Sequence, residues 1–237
     1  EELRGVVAQR NGRPAPEFDL EDARLFRSPR VPDRVGNEFV GNDAQGDGRI
    51  YVVDANGQIV TGGDGQPIPV KVVVEAGAKI SSSAAGGGSI ALLGQAVENA
   101  GQVESPSGQV ILAAGQKVYL QASENPDLRG LLVEVDAGGT AWNKATGQIA
   151  STLGNVSMVG LAVNQDGRVS ATTSVQSNGS VRLLARDTVD VIQGTGTQPP
   201  VLNTTRAGSV SFGAGSLTDV GIDAATADKT AVADQAQ

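Results

Sequence analysis

The chain has 237 residues, and its 32 Gly and 10 Pro are too many breakers for a helical bundle or coiled coil. Thirty Val against one Met, one Trp, two Tyr and four Phe make the apolar content aliphatic and β-branched, the composition of pleated, half-buried strands. A net charge of −8 disfavours nucleic-acid and anionic-membrane partners; zero Cys and zero His exclude disulfides, thiolate metal sites, thiol nucleophiles and the commonest general base.

No apolar run approaches the ~18 residues needed to cross a bilayer. The chain opens Glu1-Glu2-Leu3-Arg4 without an initiator Met or signal-peptide pattern, which reads as a processed product or an excised fragment. Residues 1–71 form an irregular N-terminal segment, capping or inserted, with Pro14, Pro16, Pro29 and Pro32 and little periodicity. Within it, residues 18–26 read as a short helix or a partly buried strand. Residues 49–61 read as a β-hairpin, because Asn56-Gly57 supplies the positive φ values its turn needs. Gly62-Gly-Asp-Gly65 leads on as another turn.

From residue 72 to 215 the sequence repeats. Gly, a polar residue and an alternating aliphatic stretch recur as Gly88-Ser-Ile-Ala-Leu-Leu, Gly108-Gln-Val-Ile-Leu-Ala-Ala, Gly154-Asn-Val-Ser-Met-Val and Gly179-Ser-Val-Arg-Leu-Leu, then more weakly as Gly208-Ser-Val-Ser-Phe. The anchors imply a unit of about 20–25 residues with loop insertions. The 46-residue gap between Gly108 and Gly154 reads as two units, with Gly130-Leu-Leu-Val-Glu-Val135 at the missing anchor. A second pattern keeps a roughly constant offset from the first: Val97-Glu-Asn-Ala-Gly101-Gln-Val103 matches Val163-Asn-Gln-Asp-Gly167-Arg-Val169, with an earlier copy at Val72 to Ile80. These units are too short for propeller blades and lack a horseshoe signature, so an all-β parallel β-helix, a solenoid with a β-hairpin and extra-helical loops, is the expected fold. An antiparallel sandwich whose Gly-rich hairpins mimic a period is the competing fold. Ser123-Glu-Asn-Pro126-Asp reads as a loop leaving the coil, and residues 216–237 as an Ala/Asp-rich tail that frays.

Over residues 72–192 the order and spacing of these pieces resemble the filamentous-haemagglutinin-like exoproteins of bacterial two-partner secretion. The resemblance is carried by Gly87-Gly-Ser-Ile-Ala-Leu-Leu-Gly-Gln-Ala-Val-Glu-Asn-Ala-Gly101, Gly108-Gln-Val-Ile-Leu-Ala-Ala-Gly115, Asn125-Pro-Asp-Leu-Arg129, Asp166-Gly-Arg-Val-Ser-Ala171 and Asn178-Gly-Ser-Val-Arg-Leu-Leu-Ala185. It implies a right-handed parallel β-helix, secreted or displayed on the surface of a Gram-negative bacterium after transit through the periplasm. It also implies a partner, an outer-membrane transporter with POTRA-type periplasmic domains, and a role in presenting an adhesive or toxin-delivery fibre, with host or bacterial surface glycans or receptors as targets. The family's Asn-Pro-Asn-Gly-type opening is missing, and residues 1–71 match only loosely. The chain then reads as the later part of a secretion domain with the first coils of the shaft, or residues 10–70 as an insertion. Lack of Cys suits passage through an oxidising periplasm.

No catalytic, cofactor-binding or metal-binding residue is assigned, and a monomer that binds no nucleic acid and is not an enzyme is expected. Asp43, Asp47, Gly48 and Asp54 have calcium-loop spacing, but position 12 is Asp54 rather than Glu and a hairpin follows, so a solvated turn is expected. The rival function is a carbohydrate-active β-helix protein, lyase-like or hydrolase-like, using carboxylates among Glu98, Glu104, Glu134, Asp136, Asp166, Asp187 and Asp190. These share no common offset apart from Asp187 and Asp190. Asn155, Asn178 and Asn203 open glycosylation-type triplets at near-chance frequency. Trp142 reads as a loop residue that stacks on a sugar or covers a coil edge, and Asn99 and Asn164 as turn residues bonding to the backbone.

Overall fold

The computed structural model describes residues 38–39, 58, 60–66, 68–82, 88–122, 130–174, 178–192 and 201–223. Every regular element among them is a strand: β1 (Glu38–Phe39), β2 (Lys71–Val74), β3 (Lys79–Ser81), β4 (Ile90–Gly94), β5 (Ala96–Asn99), β6 (Gln102–Glu104), β7 (Gln109–Ala122), β8 (Leu131–Gly138) and β9 (Thr140–Asn143). Then follow β10 (Gln148–Ser151), β11 (Asn155–Gly160), β12 (Ala162–Gln165), β13 (Arg168–Thr173), β14 (Ser180–Ala185), β15 (Val189–Ile192), β16 (Val201–Thr204), β17 (Ser209–Phe212) and β18 (Leu217–Ile222).

Three parallel sheets organise the chain. The first holds β2, β5, β9, β12 and β17; the second β3, β6, β10, β13 and β18; the third β4, the first half of β7, β11 and β14. The chain visits them in the same order each time, adding one strand per visit beside the last, so each circuit can be called a round. Parallel pairing excludes the antiparallel sandwich.

Register explains why the sequence repeats. Val72, Val97, Ala141, Val163 and Val210 are aligned across the first sheet, Ile80, Val103, Ile149, Val169 and Thr218 across the second, and Leu92, Leu112, Met158 and Leu183 across the third. Alternate positions face one interior, where residues from all three sheets form a single apolar cluster. Each aliphatic side chain buried there stabilises the fold by about 1.5–3 kcal/mol. The recurrent Gly before the third-sheet strands has a spatial cause. A Cβ at Gly108 would strike the carbonyl oxygen of Gly88, and one at Gly154 that of Gly108, so these glycines let one round lie directly on the previous one.

Two expectations about the repeat are corrected. The 46-residue step from Gln109 to Asn155 is a single round, since these residues are adjacent in the third sheet. The extra length is a hairpin: β7 runs past the sheet, and its second half pairs antiparallel with β8, from Gly115 opposite Gly138 to Ala122 opposite Leu131. Gly130-Leu-Leu-Val-Glu-Val135 is thus the returning arm of an insertion rather than a missing unit. The Gly208 unit is not a copy of the Gly88 unit, because β17 pairs with β12 in the first sheet, Val210 opposite Val163.

A second insertion follows β14 and carries the antiparallel pair β15–β16. The array also continues past residue 215, since Leu217–Ile222 of the expected tail pairs in parallel with β13. The turn at residues 62–65 is present, with Gly65 N–H donating to the Gly62 carbonyl at 3.0 Å. Residues 18–26, most of the 49–61 hairpin, the 123–127 loop and residues 224–237 lie outside the described residues.

Candidate functional site

The interior is not uniformly apolar. One step along from the aligned Val column, the inward positions of β5, β9 and β12 are Asn99, Asn143 and Gln165, each fully buried. Asn99 Nδ2 donates to Asn143 Oδ1 at 2.9 Å and Asn143 Nδ2 to Gln165 Oε1 at 2.8 Å. The ends are tied to backbone: Gly101 N–H donates to Asn99 Oδ1 at 3.1 Å, and Gln165 Nε2 donates to the carbonyls of Gly167 and Leu217. A satisfied buried network of this kind fixes register, because a slip of one residue would orphan every amide. Asn99 bonds backbone as expected, but the residue that holds its inward position in β12 is Gln165 rather than Asn164. Asn164 points outward and accepts from Ser211 Oγ at 2.7 Å.

A serine ladder lines the corner between the second and third sheets. Ser82 Oγ donates to Ser105 Oγ at 3.0 Å, and Ser151 Oγ donates to the Ser105 and Gly108 carbonyls.

The outer face of the third sheet is covered. Ile111, Ala113 and Val159 pack under Val118, Leu120, Val133 and Val135 of the hairpin, which is why all six residues of β11 are buried. The Gln109 side-chain amide imitates a strand neighbour: its Nε2 donates to the Leu131 carbonyl at 2.9 Å and its Oε1 accepts from Leu131 N–H at 2.8 Å. Glu134 pairs with Arg186 at 2.6 Å, and Asp136 accepts from Val189 N–H at 3.3 Å and faces Lys117 at 3.5 Å.

The outer face of the first sheet is different. Trp142 stands on β9 rather than on a loop, in register with Glu98 on one side and Asn164 on the other. Its Nε1 donates to Asp166 Oδ2 at 2.7 Å, and the Lys144 ammonium lies 5.1 Å from the ring centroid, a cation–π contact. Lys144 and Lys71 each pair with one oxygen of Glu98 at 2.6 Å. Burial pushes the Glu98 carboxyl up, but the two lysines outweigh it and hold it below its ordinary value.

The seven carboxylates considered for catalysis are not brought together. Glu98 belongs to the first sheet, Glu104 pairs with Lys79 on the second at 3.1 Å, and Glu134 and Asp136 serve the hairpin. Among the described residues no three acidic groups are close enough to share a metal ion. Asp43, Asp47 and Asp54 lie outside those residues. Of the three glycosylation-type asparagines, Asn155 is buried and accepts from Ser180 Oγ at 2.8 Å, Asn178 is half-buried against Thr173, and Asn203 is exposed on β16. The shallow hollow beside Thr146, Gln148, Arg168 and Leu217, of about 500 Å³, contains no carboxylate.

Sequence reasoning missed the open face at the last round. Val210, Phe212, Val220 and Ile222 occupy inward register positions yet are 36, 60, 45 and 50% exposed. Their alternation was the available signal, and the register converts it into an apolar surface continuous with the core. No family model, curated protein or solved structure matches the chain.

Proposed function

We propose that the three sheets are the faces of a right-handed parallel β-helix, and that the chain is a segment of a two-partner-secretion exoprotein. It is exported through an outer-membrane transporter and presents an adhesive or toxin-delivering fibre at the surface of a Gram-negative bacterium. The observation that carries this reading is the open fifth round. Its inward residues continue the core columns and, exposed as they are, would be buried by a further round on β17 and β18. A shaft of this kind is stabilised by contacts between neighbouring rounds, and each added round removes apolar surface from water at about 25 cal/mol per Å².

The sequence resemblance over residues 72–192 supplies the export half of the proposal. The rival polysaccharide-cleaving reading has no comparable support, since its carboxylates are divided between sheets and most are engaged by separate cations.

The test is binding to the POTRA-type periplasmic domains of a two-partner-secretion transporter encoded beside this chain, with secretion measured in a Gram-negative host. Saturable binding by the unfolded or partly folded chain, and transporter-dependent appearance in the medium, are expected. Failure to bind, or secretion that does not depend on the transporter, would overturn the proposal.

A further inference from the structure

We propose that the outer face of the first sheet is a binding platform for a neutral pyranose glycan, centred on Trp142. This deepens the adhesive half of the reading above and rests on it only for the biological setting. Glycan binding is measured on the purified chain without any transporter, so the two proposals fail separately.

The register supplies the geometry. Val73, Glu98, Trp142, Asn164 and Ser211 form one outward row across five strands, with successive members about 4.8 Å apart. Lys71, Ala96, Thr140, Ala162 and Ser209 form the parallel row beside it. Among the described residues no second layer packs on this face, unlike the hairpin on the third sheet. Trp142 is the only Trp in the chain, and it stands among small and polar side chains.

That setting selects the ligand class. An apolar peptide anchor would need an apolar rim, and the rim here is Glu98, Asn164, Lys144 and Asp166 beside Ala96, Thr140 and Ala162. An indole surrounded by hydrogen-bonding groups suits a sugar, whose C–H face stacks on the ring while its hydroxyls both donate and accept. Asn164 Oδ1 accepts from Ser211 Oγ, and the Asn164 amide N–H groups, with the Thr140 and Ser209 hydroxyls, are the donors and acceptors this face offers a sugar.

Charge decides between sugars. The ammoniums of Lys71 and Lys144 both pair with Glu98, and the Asp166 carboxylate accepts from the indole N–H, so the two positive and two negative charges of the platform cancel. The chain as a whole carries −8, which repels sulfated and uronic-acid polymers. Fixing the indole by Asp166 and Lys144 before binding reduces the ordering that a ligand must impose.

The single Trp makes the test specific to this site. Its emission is titrated with N-acetylchitotetraose, cellotetraose and, for contrast, a heparin tetrasaccharide. A saturable change with a neutral tetrasaccharide is expected. Calorimetry of Trp142→Ala should show affinity reduced by about tenfold or more, as for a stacked aromatic anchor, with Trp142→Phe retaining part of it. Asn164→Ala, which leaves the ring in place, should weaken binding several-fold and decides the matter if Trp142→Ala does not fold. No response to either neutral tetrasaccharide, a response to the heparin fragment alone, or unchanged affinity in Asn164→Ala together with Trp142→Ala, would overturn the proposal.

Discussion

Val163 and Val210 are neighbours in one column of the first sheet, yet Val163 is fully buried and Val210 is 36% exposed. The same contrast separates Ala171 from Val220 in the second sheet, 2% against 45%. Val163 and Val210, like Ala171 and Val220, hold the same inward register positions in successive rounds, so the difference comes from what lies on each round. The fourth is covered by the fifth, whereas among the described residues β17 and β18 have strand neighbours on one side only. Burial in this architecture is a property of position in the stack, and the stabilising value of a residue depends on whether another round follows.

That comparison can be broken by substitution. Leu112→Ala, in the fully buried third-sheet column, should cost about 2–5 kcal/mol of unfolding free energy because a cavity remains in a rigid core, as read from denaturant titration. Asn143→Ala should follow, since it strands Gln165 Oε1 and leaves Asn99 Nδ2 only the Gln148 carbonyl at 3.4 Å, and an unpaired buried group costs about 1–3 kcal/mol.

A smaller effect is expected at the surface of the same rounds. The Glu98 carboxyl lies below its ordinary value in the folded chain, so its contribution is complete above the ordinary carboxylate range and is lost as pH falls through the lowered value. With both lysines partly exposed, the contribution is a few tenths of a kcal/mol, roughly, and is screened by salt. Glu98→Gln should therefore remove a small, salt-sensitive part of the acid destabilisation seen in thermal melts. Phe212→Ala should change stability least, within about 0.5 kcal/mol, because the ring is 60% exposed despite its inward register. A large loss there would mean that the fifth round is covered.

The repeat was legible because period-two alternation and stacked glycines act at each strand separately. Gly108 and Gly154 announced themselves through a steric need that only Gly meets. The hairpin was not legible: Leu131-Leu-Val-Glu-Val135 alternates like any round, and pairing direction leaves no mark on a single strand. Gly208-Ser-Val-Ser-Phe212 reads alike for either sheet, and only register assigns it. Trp142 reads as a loop residue in the sequence because Gly138-Gly139 precede it. The amide ladder was half visible, with Asn99 found and Gln165 overlooked in favour of its neighbour Asn164, since one residue decides which side of a strand a group faces. The outer platform needed three strands to be set side by side before Glu98, Trp142 and Asn164 formed a row.

Residue-resolved amide hydrogen exchange tests the central claim most directly, because it reports the opening free energy of each strand. Protection should be highest in β9–β13 and fall sharply in β17 and β18, with the amides paired between β12 and β9 exchanging far more slowly than those that β17 and β18 donate. Equal protection across all five rounds, exchanging as one unit, would contradict the account.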